Sequence, residues 1–368
     1  MNNYIRILAI TILVNCSSEF DSKNFAQENL IIDTHIDIPY RLKAQLDQDN
    51  RYEDIAETTT FDFDYYRALS GGLNVPFFSI YLPAQTEREG TSFTVANELI
   101  AMINDVIDNN PDKFFLLDQT TYLANLPGQN LIGIALGMEN GAPIEGKLDR
   151  VKYFYDKGIR YITLAHSESN HISDSSYDEN KRWGGLSPFG RELVEEMNNV
   201  GMMIDISHVS DDAFFEVLEL SKAPVIASHS SMRHFTPGWE RNVSDEMLIK
   251  LAENGGVLQI NFGSSFIIDK QRSNDANATE DYIFATLEQV VDHFDRAVTL
   301  VGVDHVGIGS DYDGVGDTLP INLKDVSDFP NLIDELHSRG YSKNDIAKIL
   351  GGNTARVWRE VEEYARNK

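Results

Sequence analysis

The sequence predicts an α/β protein, a single (β/α)8 barrel of the TIM type, and three observations carry that expectation. Short β-type runs alternate with longer segments of helical period from Leu30 to the C-terminus, which argues for a parallel sheet. Eight such runs can be counted along the chain, the number that closes a barrel. A chain of 368 residues that is 42% hydrophobic can bury one large core, and no composition shift, repeat or linker divides it after Leu30. An open doubly wound sheet is the structural alternative, because strand closure leaves no mark in a sequence.

The N-terminal element is expected to be a signal peptide over residues 1–16. Arg6 precedes the apolar run 7–14, which is too short to span a bilayer, and Cys16 follows it directly. Leu13-Val14-Asn15-Cys16 resembles the lipobox of bacterial lipoproteins, with Asn15 where a small residue is usual. An ordinary secretory peptide with an incidental cysteine is the rival reading. Either way the catalytic part is expected to be exported, and the lipobox implies membrane anchoring through Cys16 in a bacterial cell envelope. Residues 17–29 read as a polar tether, and residues 30–368 as the catalytic barrel.

Within the barrel the expected strands are residues 30–37, 74–82, 131–139, 160–166, 202–208, 224–229, 256–262 and 306–311. The expected helices run over residues 93–107, 192–200, 211–220, 245–253, 279–300 and 344–350. Ser187 and Pro188 form an N-cap and N1 pair ahead of the second of these, and Gly201 closes it.

Composition removes several functions. A net charge of -27 repels phosphate backbones and anionic headgroups, so neither nucleic acid nor charge-driven membrane binding is expected. One cysteine excludes an intrachain disulfide and every zinc site built on several thiolates. Any metal must therefore sit on histidine and carboxylate.

His35 and Asp37, Glu139, His166, His208, His229 and Asp311 each fall at or beside the C-terminal end of a predicted strand. In a barrel those ends converge on one mouth, where chemistry is placed. His35 and Asp37 share a strand face at a spacing of two, so both can bind one divalent ion. His208 and His229 end consecutive strands and suit a second ion. Glu139 closes an apolar strand, where an unpaired carboxylate would be costly to bury, and is the natural bridge. No lysine ends the strand 160–166, so a carbamylated-lysine bridge is not expected.

Two ions about 3.5–4 Å apart would share a water whose pKa falls toward about 7, and that bridging hydroxide would be the nucleophile. Zinc suits the mixed ligands, and manganese or cobalt would fit the same set. Asp311 is the candidate general base, with Asp313 its rival. His166 is placed to steady an oxyanion, and Arg241 to clamp a substrate carboxylate. His171, His234, His293, His305 and His337 have no such placement and are read as structural.

Together Asp33-Thr34-His35-Ile36-Asp37, Gly137-Met138-Glu139, the run from Gly184 to Arg191, the run from Asp205 to Ser210, Ser228-His229-Ser230-Ser231, Arg241-Asn242-Val243, the run from Gly309 to Gly314 and Gly351-Gly352-Asn353 resemble the membrane (renal) dipeptidase family of zinc metallopeptidases. The match is ordered and runs from about Leu30 to Trp358. The resemblance implies two zinc ions, one on His35 and Asp37, one on His208 and His229, with Glu139 bridging. It also implies Asp311 as proton shuttle, His166 near the scissile carbonyl, and Arg241 on the terminal carboxylate of a dipeptide. Family members cleave dipeptides, often with a D-residue at the C-terminal position, and are commonly homodimers. Two positions depart: Gly263 follows Asn261-Phe262 where mammalian members carry tyrosine, and Thr34 stands where glycine is common. The first bears on selectivity. Rival readings are another two-metal amidohydrolase acting on N-acyl amino acids or lactones, and a non-catalytic binding lipoprotein.

Overall fold

Apolar runs buried on both faces form the strands, as a parallel sheet covered by helices requires. In the computed structural model, which describes residues 20–269 and 282–368, these are β1 (Ile32–Ile36), β2 (Val75–Tyr81), β3 (Phe114–Leu116), β4 (Ile132–Glu139), β5 (Ile159–Thr163), β6 (Met203–Asp205), β7 (Ile226–Ala227), β8 (Val257–Ile260) and β9 (Val306–Ile308). All pairings are parallel, in the order β2-β1-β9-β8-β7-β6-β5-β4, and β2 also pairs with β4 from Phe77↔Ala135 to Tyr81↔Glu139. That last ladder closes the barrel and removes the open-sheet alternative. β3 was not among the expected strands. It adds to the first half of β4, from Phe114↔Ile132 to Leu116↔Ile134, and stands outside the closed ring.

Alternation of side chains divides the core in two. On β2, Phe78 packs outward under the helices while Phe77 points into the barrel with Ile32, Ala135, Tyr161, Met203, Ile226 and Val257. The C-terminal helix Asn353–Arg366 plugs the barrel from below, with Trp358 edge-on to Phe77 at 5.2 Å. Gly137 is needed where it is, because a Cβ there would lie 2.0 Å from the Tyr161 ring.

The observed strands stop short of the expected ends. β6 ends at Asp205, β7 at Ala227 and β9 at Ile308, so His208, His229 and Asp311 stand on the loops just beyond. His208 and Asp311 have φ of 68° and 64°, a left-handed conformation no ladder can hold and one that concentrates at functional sites. Helices Pro188–Val200, Asp211–Leu220 and Asp245–Glu253 form, capped by Ser187, Ser210 and Ser244. The helix expected over 279–300 is Leu287–Val301, and residues 279–281 lie outside the described ones. The segment 344–350 forms Lys343–Ala347 and a π-turn running into the C-terminal helix.

One expectation is corrected. The tether expected over residues 17–29 is a helix at Ser22–Glu28, capped by Asp21, with Phe25 and Ala26 buried. Phe20 stacks on His337 with ring centroids 3.9 Å apart. Two apolar side chains among polar ones carry no period in so short a stretch. The groove that covers them exists only in the folded chain. The expected signal peptide and Cys16 lie outside the described residues. Among the described residues, no helix is long and apolar enough to cross a membrane.

Candidate metal centre

The strand ends bring four of the predicted residues to one carboxylate. The Oε1 atom of Glu139 lies 3.2 Å from His208 Nε2, 3.3 Å from His229 Nε2 and 3.3 Å from His166 Nε2. Its Oε2 atom lies 3.5 Å from His35 Nε2, which is 3.4 Å from Asp37 Oδ2. Asp311 is buried beside Asp37 and accepts a hydrogen bond from Asn261 Nδ2 at 2.6 Å. Three groupings within metal-ligand reach result: His35, Glu139 and His229; Glu139, His166 and His208; and His35, Asp37 and Asp311.

The donor set fits divalent cations on grounds internal to the site. His35 Nε2 and Asp37 Oδ1 are buried with no hydrogen-bond partner, and orphaned buried polar atoms call for an ion or water. His208 Nε2 and His229 Nε2 approach to 2.8 Å. The Ser228 hydroxyl donates to Asp205 Oδ2 at 2.6 Å, so its oxygen accepts from His229 Nδ1–H at 2.8 Å. That leaves a lone pair on His229 Nε2 facing the second imidazole, an arrangement a cation between them relieves. Gly314 supplies the space: a Cβ there would lie 2.2 Å from both Asp311 Oδ1 and Asp37 Oδ2.

Electrostatics agree. Burial, with neighbouring cationic groups including Arg241, pushes His208 and His229 well below the ordinary imidazole range, so both stay neutral and able to ligate. Burial opposes ionisation of Glu139, but His35, His166 and His208 outweigh it and hold the carboxyl well below its usual range. Burial likewise opposes the charged form of His35, yet Tyr161, Glu139 and Asp37 raise it well above its usual value, so a proton stands where a cation would be attracted. Burial pushes Asp311 up to about 8; His35 opposes this, while Asp37 and Glu139 reinforce it. A bound divalent cation would draw that value back down.

Asp311 and its rival Asp313 differ in what their carboxylates contact. Asp313 uses both carboxylate oxygens on backbone, accepting from Asp62 N at 3.0 Å and Phe63 N at 3.2 Å. Asp311 keeps Oδ1 toward Asp37. His166 is the more open imidazole, with 19% of its side chain exposed against 6% for His208 and 1% for His229. The Arg241 guanidinium is buried, donating to Ser230 Oγ at 2.6 Å and to the His229 carbonyl at 2.8 Å, while its Nε has no partner. These groups face or flank a cavity of about 690 Å³, which Tyr40, Tyr81, Tyr177 and Phe266 also line. A second cavity of about 670 Å³, among Asp118, Lys152, Arg160 and Glu362, touches none of them.

Sequence reasoning missed the supports behind the ligands: Tyr161 against His35, Asp205 and Ser228 against His229, Asn261 against Asp311. Asp205 carried a usable signal, a charge inside an apolar strand three residues before His208. Tyr161 carried none, because it reads as one more core aromatic.

A family model described as membrane dipeptidase, peptidase family M19, matches residues 21–368. The chain belongs to that family. Dipeptidase 3 of Mus musculus is 32% identical over 337 residues, which are 90% of this chain; the chain spans 64% of the mouse protein. A dipeptidase of Schizosaccharomyces pombe, itself uncharacterized, is 34% identical over 357 residues, 93% of this chain and 83% of the yeast protein. The probable dipeptidase PvdM from Pseudomonas aeruginosa shares the fold at a TM-score of 0.83 and 24% identity, over 94% of this chain and 98% of that one. Dipeptidase AC, a metallopeptidase of family M19, superposes at a TM-score of 0.78 and 25% identity over 91% and 99%. Divalent-metal use comes with membership of this metallopeptidase family, and the His and Glu groupings are of the kind that can hold it.

Proposed function

We propose that the protein is a zinc dipeptidase with a binuclear site, in which His35 and Asp37 hold one ion, His208 and His229 the other, and Glu139 bridges. The observation that carries this is the pair of Glu139 oxygens, one turned to His35 and the other to His208 and His229. Bound ions would polarise the scissile carbonyl and bring a shared water to hydroxide near neutral pH. Asp311 takes the proton of the attacking water on Oδ1, steadied by Asn261 on Oδ2, and passes it to the leaving amine. His166, beside Glu139 and open to the cavity, donates to the oxygen that becomes negative. Arg241 reads the terminal carboxylate through its unpartnered Nε–H. Acceptance of a D-residue at the C-terminal position belongs to the same reading.

A second reading has one observation in its favour. Arg241 recognises a carboxylate, and among the described residues lining the cavity Asp311 and Asp313, the carboxyls free of the ligand set, are a base and a loop clamp, so N-acyl amino acids would also be accommodated. We further infer export by a lipoprotein-type signal ending at Cys16, supported by Arg6, the apolar run 7–14 and the single cysteine, and a homodimer, supported by family resemblance alone.

The test is hydrolysis of L,L and L,D dipeptides, their N-acetyl forms and tripeptides by protein stripped with chelator and then resupplied with zinc. Cleavage of free dipeptides that is lost on chelation and restored by zinc is expected. Preference for N-acetyl forms would move the assignment to the second reading, and ion binding without cleavage of either would defeat both.

A further inference from the structure

We infer that Tyr161, a residue of the barrel interior that does not line the cavity, is a positioning residue that sets the affinity of the ion position built on His35. The inference rests on the metal-centre reading above. Tyr161 lies on β5, fully buried, with its ring stacked on Phe77 at 5.6 Å and seated over Gly137. Its phenol oxygen is 2.9 Å from His35 Nδ1 and 3.0 Å from the Thr34 carbonyl oxygen.

A carbonyl can only accept, so the single phenol proton goes to Thr34 O. The phenol oxygen then accepts from His35 Nδ1–H. This fixes the ring plane with Nδ1 as the donor to the phenol, and aims Nε2 between Asp37 and Glu139, at 3.4 and 3.5 Å, where a cation would take the place of its proton. Metal-bound histidines are ordinarily oriented in this way by a carboxylate or carbonyl. Here a phenol locked into the core does it, and the space for that phenol exists because residue 137 is glycine.

The other ion position has different supports. His229 is held through Ser228 by Asp205, and His208 Nδ1 has no partner. Tyr161 touches neither imidazole, so its loss should act on one position only.

The experiment is zinc titration of the stripped, full-length protein against a chromophoric chelator, for wild type, Tyr161→Phe, and Tyr161→Phe in a His35→Ala background. Phenylalanine keeps the ring that fills the barrel and removes only the oxygen. The expected result is two ions in wild type, with one binding step weakened by about tenfold to a hundredfold in Tyr161→Phe and the other unmoved. In the His35→Ala background the phenylalanine should change nothing. Two undiminished steps in Tyr161→Phe would overturn the role of Tyr161 while leaving the metal centre intact. Equal weakening of both steps, or weakening without His35, would reduce the residue to general packing and overturn it as well. A wild type that takes up no zinc would defeat the metal-centre reading itself.

Discussion

Arg241 shows how much of this site depends on single side chains. It is buried 12 residues after His229 in sequence yet bonded back to that residue's carbonyl, so the proposed carboxylate reader and a proposed metal ligand share one loop. Replacing it by alanine should raise KM for free dipeptides by about tenfold to a hundredfold, the worth of a charge-assisted hydrogen bond of about 1.5–3 kcal/mol, and should leave KM for carboxyl-amidated analogues unchanged. Equal KM changes for both substrate forms would remove the assignment. The residues proposed for the site were legible in advance, since His35, Asp37, Glu139, His208 and His229 sit at or just beyond strand ends that any closed barrel gathers. The choice between Asp311 and Asp313 was not legible: both follow the same strand, and only the backbone amides of Asp62 and Phe63 show which carboxylate is occupied.

At the scale of elements, β4 carries the most. It pairs with β3, β2 and β5, it ends in Glu139, and its Gly137 makes room for the ring that supports His35. Gly137→Ala should therefore act twice. A Cβ placed 2.0 to 2.5 Å from ring atoms of Tyr161 is overpacking, expected to cost about 1–3 kcal/mol of stability. The displaced phenol should also weaken zinc binding. Thermal unfolding of the stripped protein measures the first effect and chelator competition the second; a variant that loses neither would show that the ring moves freely. Element boundaries were less legible than element order. β6, β7 and β9 are only two or three residues long, because the polar residues after them leave the ladder to form the site, and periodicity cannot separate the last ladder residue from the first ligand.

At the scale of the whole molecule, stability should fall on acidification. His293 is buried, accepts from Met232 N at Nδ1 and donates to the Ile267 carbonyl at Nε2, and burial lowers its pKa to about 4. The unfolded chain binds its proton near the ordinary value of about 6.5, so the folded state is favoured above that pH. The contribution is lost as pH falls from about 6.5 toward about 4, and amounts to about 3 kcal/mol in full. Denaturant unfolding of stripped wild type and His293→Gln at neutral pH and near pH 5 isolates it: the wild type should lose more than the variant between the two. His208 and His229 act in the same direction and are common to both proteins.

The sequence by itself determined the alternation of strands and helices, their order, the cap at Ser187, and which histidines and carboxylates are proposed as metal ligands, because these are local patterns of period, turn chemistry and residue type. Closure of the ring through β2 and β4, the docking of Ser22–Glu28, the left-handed turns at His208 and Asp311, and the phenol behind His35 were decided by tertiary structure. Each depends on which side chain arrives from a distant strand: Tyr161 meets His35 across 126 residues of chain. A sequence records that a tyrosine is buried, and only the closed barrel determines what its oxygen faces.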